Sequence, residues 1–168
     1  DLTAGTTDIF AGTPSFIGGN ADGDGAAAAF NQPKSITVGD DGLYVTDTYN
    51  REIRKITFDG SVSTFVGGAF GSKDGAKGTA SFLSPIDLCM DGAGNLLVAD
   101  QGSHTVRWVK PDGTTSTIAG NRDLGDTDGV GDKASLAYPT SLNLVKIGGQ
   151  DALVIGEMFG NIRVVTNW

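Results

Sequence analysis

Phe30-Asn31-Gln32-Pro33 returns as Phe82-Leu83-Ser84-Pro85 and again as Leu136-Ala137-Tyr138-Pro139, with the prolines 52 and then 54 residues apart. Self-similarity at a fixed period marks a repeat architecture and takes precedence over any local reading. Each Pro is followed by a short alternating segment, at residues 35–38, 87–90 and 141–144, expected to form the first strand of a unit. Turn residues come next, as Asp40-Asp41-Gly42, Asp91-Gly92-Ala93-Gly94-Asn95 and Gly148-Gly149-Gln150-Asp151, all rich in residues that tolerate positive φ.

A second strand is expected at 43–46, 96–99 and 152–155, and a third at 53–56, 106–109 and 162–165. A fourth follows at 62–66 and 115–119, ending in Gly67 and Gly120. Units therefore span 28–67, 80–120 and 134–168 of a single module, 1–168. The third unit stops before any fourth strand. Residues 7–12, Thr-Asp-Ile-Phe-Ala-Gly, match a fourth strand that has no unit before it, so segment 1–12 is expected to act as a closing outer strand.

The order Phe-x-x-Pro, strand, Asp-Gly turn, Leu-Tyr-Val-x-Asp, Arg-x-Ile-Arg-Lys-Ile, Asp-Gly-x-Val resembles the NHL repeat, and the resemblance covers essentially the whole chain. It implies an all-β fold of β-propeller blades, each of four antiparallel strands, with three blades in this chain. Closed propellers hold about four to eight blades, so three call for completion. The expectation is half of a six-bladed ring made by self-association as a homodimer, or part of a larger propeller.

Composition agrees with a folded, turn-rich module: 26 Gly, 5 Pro and 39% hydrophobic residues among 168. Its formal charge of -8, with no basic cluster, disfavours nucleic acid as a partner, because phosphate neutralisation needs Lys and Arg. The RNA-binding use of NHL domains, which relies on a positive face, is set last for the same reason. No apolar run has the ~20 residues of a membrane-spanning helix, so no membrane insertion is expected. Cys89 is the sole cysteine and His104 the sole histidine, which excludes an internal disulfide and a Cys/His zinc site. The acidic, turn-rich character favours an extracellular or cell-surface setting.

Asp47, Asp100 and Glu157 stand just after the second strands, and Arg54, Arg107 and Arg163 follow six or seven residues later. They are read as structural repeat positions, the acid bonding backbone N–H groups of the following turn. His104 aligns with Arg51 and is read as a repeat position too. Propeller first strands line the central channel, and there the sequence offers Ser35, Asp87 and Ser141, then Thr37, Cys89 and Asn143. These are the candidate channel-binding residues, with Asp87 and Asn143 departing from the small residues usual in the family.

No cofactor is expected, and no catalytic residue is assigned. Calcium is the one metal the glycine-rich loops invite, at Asp126, Asp128 and Asp132, since hard cations want clustered carboxylates, although no EF-hand pattern occurs. Phe10, Phe30, Phe65, Phe82, Trp108 and Trp168 are expected to fill the wedges between blades. A non-enzymatic scaffold for protein or ligand binding and assembly is the leading functional expectation. The alternative is a propeller enzyme, lactonase-like or lyase-like, with a metal or acidic site at the central channel.

Overall fold

The computed structural model describes residues 5, 7–14 and 17–168. Among these residues the chain is all-β, with twelve strands in three antiparallel sheets joined by loops and four single-turn 3-10 helices. The first sheet holds β1 (Gly23–Asp24), β2 (Pro33–Gly39), β3 (Gly42–Asp47), β4 (Glu52–Ile56) and β5 (Ser61–Gly67), in the order β1-β5-β4-β3-β2. The second holds β6 (Pro85–Met90), β7 (Leu96–Asp100), β8 (Thr105–Val109) and β9 (Thr115–Ala119) in chain order. The third has β10 (Pro139–Ile147), β11 (Gln150–Glu157) and β12 (Ile162–Thr166).

Each sheet is a meander, and the sequence explains its punctuation. A proline opens every first strand, where the missing N–H costs nothing, and a register shift follows it at Pro33/Ile36, Pro85/Asp87 and Pro139/Ser141. Aliphatic and β-branched residues fill the second and third strands, which in the first two blades are buried on both faces. The fourth strands end in glycine because the backbone needs φ of 105° at Gly67 and 97° at Gly120. A Cβ at either would stand 2.4 or 2.2 Å from the carbonyl oxygen of Arg51 or His104.

The sheets stack face to face with their first strands, β2, β6 and β10, side by side. Between the first and second sheets Tyr44, Ile53 and Phe65 meet Phe82, Leu96 and Val98 in a buried core. Between the second and third, Leu97 and Val106 meet Leu136, Leu153 and Ile155, with Trp108 and Trp168 packed at its border. Each sheet is one propeller blade, so the aromatic wedges expected at Phe65, Phe82, Trp108 and Trp168 lie between blades.

Three features depart from expectation. The turn expected at 148–151 shrinks to Gly148 and Gly149, both at positive φ, and Gln150 pairs with Ile147. Two consecutive positive-φ residues suit the twist of a two-residue hairpin, which lengthens both flanking strands. The first blade gains β1, whose Gly23 pairs with Val62, and the second repeats this as a bridge from Gly75 to Thr115. Lastly, residues 7–12 join none of the described sheets. They lie against the first blade, and residues 1–4 and 6 of the expected closing segment are outside the described residues.

Candidate functional site

Two third-strand arginines are among the most deeply placed charges. Arg54 and Arg107 are fully buried, an arrangement that is tolerable only when the guanidinium is paired and hydrogen-bonded. Arg54 donates to Asp47 at 2.9 Å, to Asp22 at 2.5 Å and to the carbonyls of Ala21 and Ala29. Arg107 donates to Asp74 at 2.6 Å and to the carbonyls of Lys73 and Ser81, and stands 3.6 Å from Asp100. Arg163 repeats the pattern at its open end of the row, 2.7 Å from Asp128 and donating to the carbonyls of Thr127 and Ser135.

Asp22, Asp74 and Asp128 were not singled out as arginine partners from the sequence. The signal was available, because each lies eleven residues before the proline of its unit. These loop carboxylates also meet fourth-strand hydroxyls, Asp22 from Thr64 and Asp74 from Thr117.

The second-strand acids are structural, with one correction to how they act. Asp47 accepts the N–H of Asn31, Asp100 those of Leu83 and Ser84, and Glu157 that of Ala137. These donors belong to the segment leading into the first strand, not to the following turn. The following turn contributes side chains instead, Asn50 to Asp47 and Ser103 to Asp100. Each acid thus ties the exit of its second strand to the entry of its first. Burial pushes the Asp100 carboxyl upward, against the donors from Ser103, Ser84 and Leu83 and the charge of Arg107.

Of the candidate channel residues, the structure brings Ser35 and Asp87 together. Side chains of a strand alternate between the two sheet faces, and of the first strands only β6 has a neighbouring blade on both sides. Asp87 bridges the three first strands: one oxygen accepts from Ser35 Oγ at 2.5 Å, the other from the Leu142 N–H at 2.6 Å. Cys89 packs into the core between the second and third blades, where burial, then Asp87 and Asp91, push its thiol up to about 12. Ser141 and Asn143 lie exposed.

Two of the calcium candidates have cationic partners. Asp128 is committed to Arg163, while Asp132 pairs with Lys133 at 3.2 Å on the surface. Among the described residues, no group of three or more His, Cys, Asp or Glu is placed to hold a metal ion.

One face of the blade row combines recurrent backbone geometry with exposed aromatic surface. The turn after each second strand is tied back to the segment before the first, by Tyr49 N to Asn31 O, Gln101 N to Ser84 O and Met158 N to Tyr138 O. Arg51, His104 and Gly160 occupy the same left-handed position in these turns, which confirms His104 as a repeat position. On this face Tyr49, Met158 and Phe159 are exposed, Phe159 at 68%. Tyr138 packs edge-on against both His104, at 4.4 Å between centroids, and Phe159, at 5.7 Å. Burial holds the His104 imidazole below its ordinary range, although Asp100 and Asp123 oppose the shift.

No protein-family model matches the chain. It is 31% identical over 118 residues, 65% of its length, to the Arabidopsis thaliana protein SUPPRESSOR OF QUENCHING 1, chloroplastic, of which it covers 11%. Its fold is similar to that of a Bacteroides thetaiotaomicron protein of unknown function, at 28% identity and a TM-score of 0.66, over 74% of this chain and 32% of that one. It is also similar to an auxiliary nutrient binding protein from Bacteroides ovatus, at 21% identity and a TM-score of 0.63, over 76% of this chain and 35% of that one. The chain thus spans about a third of these two solved chains and about a ninth of the plant protein. The chain has the β-propeller fold of these solved neighbours.

Proposed function

We propose that the chain is a non-enzymatic, NHL-type propeller module whose turn face receives a protein or ligand partner. The observation that carries this reading is exposed Phe159 stacked on half-buried Tyr138 and His104, held on turns that backbone hydrogen bonds fix to the blades. Exposed aromatic rings on a rigid support bury large area at little cost in side-chain entropy, and they are the side chains that anchor interfaces. The buried arginines and their carboxylates are consumed within the scaffold, which leaves the turn face as the surface of variable chemistry.

The geometry gives the enzyme alternative less support. A channel acid must meet its substrate, whereas both Asp87 oxygens already accept hydrogen bonds from neighbouring blades. Cross-linking mass spectrometry on extracts of the source organism tests the reading, with wild type compared against Phe159→Ser. A partner cross-linked to the turn face of wild type and lost in the variant is the expected result. Lactone hydrolysis or lyase turnover abolished by Asp87→Asn would overturn it.

A further inference from the structure

In the first two blades the second-strand acid is neutralised from within. Asp47 pairs with Arg54 at 2.9 Å, and Asp100 stands 3.6 Å from Arg107. Glu157 takes their place in the third blade, opposite Pro139 as they are opposite Pro33 and Pro85. Its Oε1 accepts the Ala137 N–H, next to Tyr138, whereas its buried Oε2 has no hydrogen-bond partner among the described residues, and Arg163 turns to Asp128 instead. The cause is local. The turn after Glu157 reaches its left-handed residue, Gly160, in three positions, where Arg51 and His104 lie four beyond their acids. The lost position is that of Asn50 and Ser103, whose side chains serve the second oxygens of Asp47 and Asp100.

A second unneutralised carboxylate stands near. Asp123 is exposed, its charge acts on His104, and it makes no ion pair among the described residues. The guanidinium of the adjoining Arg122 is directed to Ser72 and Asp74. His104 itself, held below its ordinary range, brings no positive charge at neutral pH.

Between these charges the rings stand at steep angles, Tyr138 at 74° to His104 and at 79° to Phe159. An aromatic face attracts a cation. The first blade already uses this on the same side of the molecule, where Arg51 in the left-handed place lies over exposed Phe70, 5.3 Å from its centroid. The third blade has Gly160 in that place, and among the described residues no cation lies over Phe159 or Tyr138. Exposure belongs to the position, since Tyr49, also two residues after its acid, is 57% exposed.

We propose, resting on the turn face as the docking surface, that this cluster receives a lysine side chain from a basic segment of a partner protein. The ammonium lies on the Phe159 and Tyr138 rings, and Glu157 and Asp123 supply the counter-charge. One free carboxylate oxygen on Glu157 suits a compact ammonium, whereas a guanidinium fork asks for two. The net charge of -8 draws such a segment toward the chain.

The probe is fluorescein-labelled hexalysine, titrated with the chain by fluorescence anisotropy at physiological ionic strength, where attraction between exposed charges beyond ~8 Å is screened. Saturable binding is expected, and the lysine-acetylated peptide, which keeps the stems without the charge, should bind far more weakly. Phe159→Leu keeps apolar bulk without the ring and should weaken hexalysine about 3- to 30-fold. Glu157→Gln should weaken it too, whereas Asp112→Asn, in the turn between β8 and β9 at the opposite end of the strands, should not. Trp fluorescence confirms that each variant is folded. Equal binding of the acetylated peptide that still falls on Phe159→Leu would overturn the lysine site and leave the turn face a docking surface. Hexalysine binding unchanged by Phe159→Leu and Glu157→Gln, or weakened as much by Asp112→Asn, would overturn the site as general attraction to an acidic chain. Tighter binding of free choline than of hexalysine would assign the rings to a small ammonium ligand and overturn the protein partner. Absence of saturable hexalysine binding would also overturn the lysine site, while the turn face itself stands or falls on its cross-links.

Discussion

Ser35 Oγ donates to the Asp87 carboxylate at 2.5 Å across the boundary between the first and second blades, and the Leu142 N–H of the third blade takes the other oxygen at 2.6 Å. One side chain thus couples three first strands that no backbone ladder joins, since each belongs to a different sheet. Asp87→Ala removes both bonds and leaves the part-buried Leu142 N–H without its partner. A loss of about 2–4 kcal/mol is expected, at about 1–3 kcal/mol for an orphaned polar group plus the second, charged hydrogen bond. Asp87→Asn keeps one acceptor and should lose about half as much. Urea unfolding monitored by Trp fluorescence checks both, and an unchanged midpoint for Asp87→Ala would refute the bridging role.

This bridge also shows where sequence reading stops. The Phe-x-x-Pro recurrence and the strand alternation after Pro33, Pro85 and Pro139 made the blades legible, because local pattern fixes a meander. The same pattern named Ser35 and Asp87 but not the hydrogen bond between them, since alternation tells which residues share a face, not what packs against it. Asp22 and Asp74 were missed as partners of Arg54 and Arg107 for a related reason. A salt bridge formed across more than 30 residues, from a loop to a strand, leaves no trace in periodicity; only the constant spacing from Asp to Pro betrays it.

The arginines should differ in weight according to whether their blade is complete. Arg107→Met strands the buried Asp100 carboxylate and the carbonyls of Lys73 and Ser81, an uncompensated buried charge that costs about 3–5 kcal/mol. Arg107→Lys should recover only part of this, because an ammonium cannot reach several acceptors with a planar fork. Arg163→Met removes a pair whose acid, Asp128, is 97% exposed, so its cost should stay below about 2 kcal/mol. Denaturant midpoints of the three variants give the order, and a loss at Arg163 equal to that at Arg107 would contradict it.

Cys89 is expected to be unreactive while the chain is folded. Its thiol is pushed up to about 12 from an ordinary 9.0, so almost no thiolate exists at pH 8. Ellman's reagent should react with it only after denaturant is added. Between about 9 and 12 the folded state retains a proton that the unfolded state has lost, so stability declines as pH rises through that window. Cys89→Ser should flatten this alkaline decline in a pH series of melting temperatures.

His104 should act on the acid side with the opposite slope. Its imidazole is held below the ordinary 6.5, chiefly by burial, with Asp100 and Asp123 facing it and opposing the shift. The neutral ring accepts the Tyr138 N–H at Nδ1, 3.4 Å away, and stacks edge-on with the Tyr138 ring. Below pH 6.5 the unfolded chain takes up a proton that the folded chain resists, so the stability present above 6.5 is lost as pH falls toward the folded value. Protonation also converts Nδ1 from acceptor to donor and removes the Tyr138 contact. His104→Asn tolerates the left-handed φ of 56° at this position and cannot titrate. Melting temperature should therefore fall between pH 7 and 5.5 in wild type more than in His104→Asn, and equal slopes would show that His104 keeps its ordinary protonation when folded.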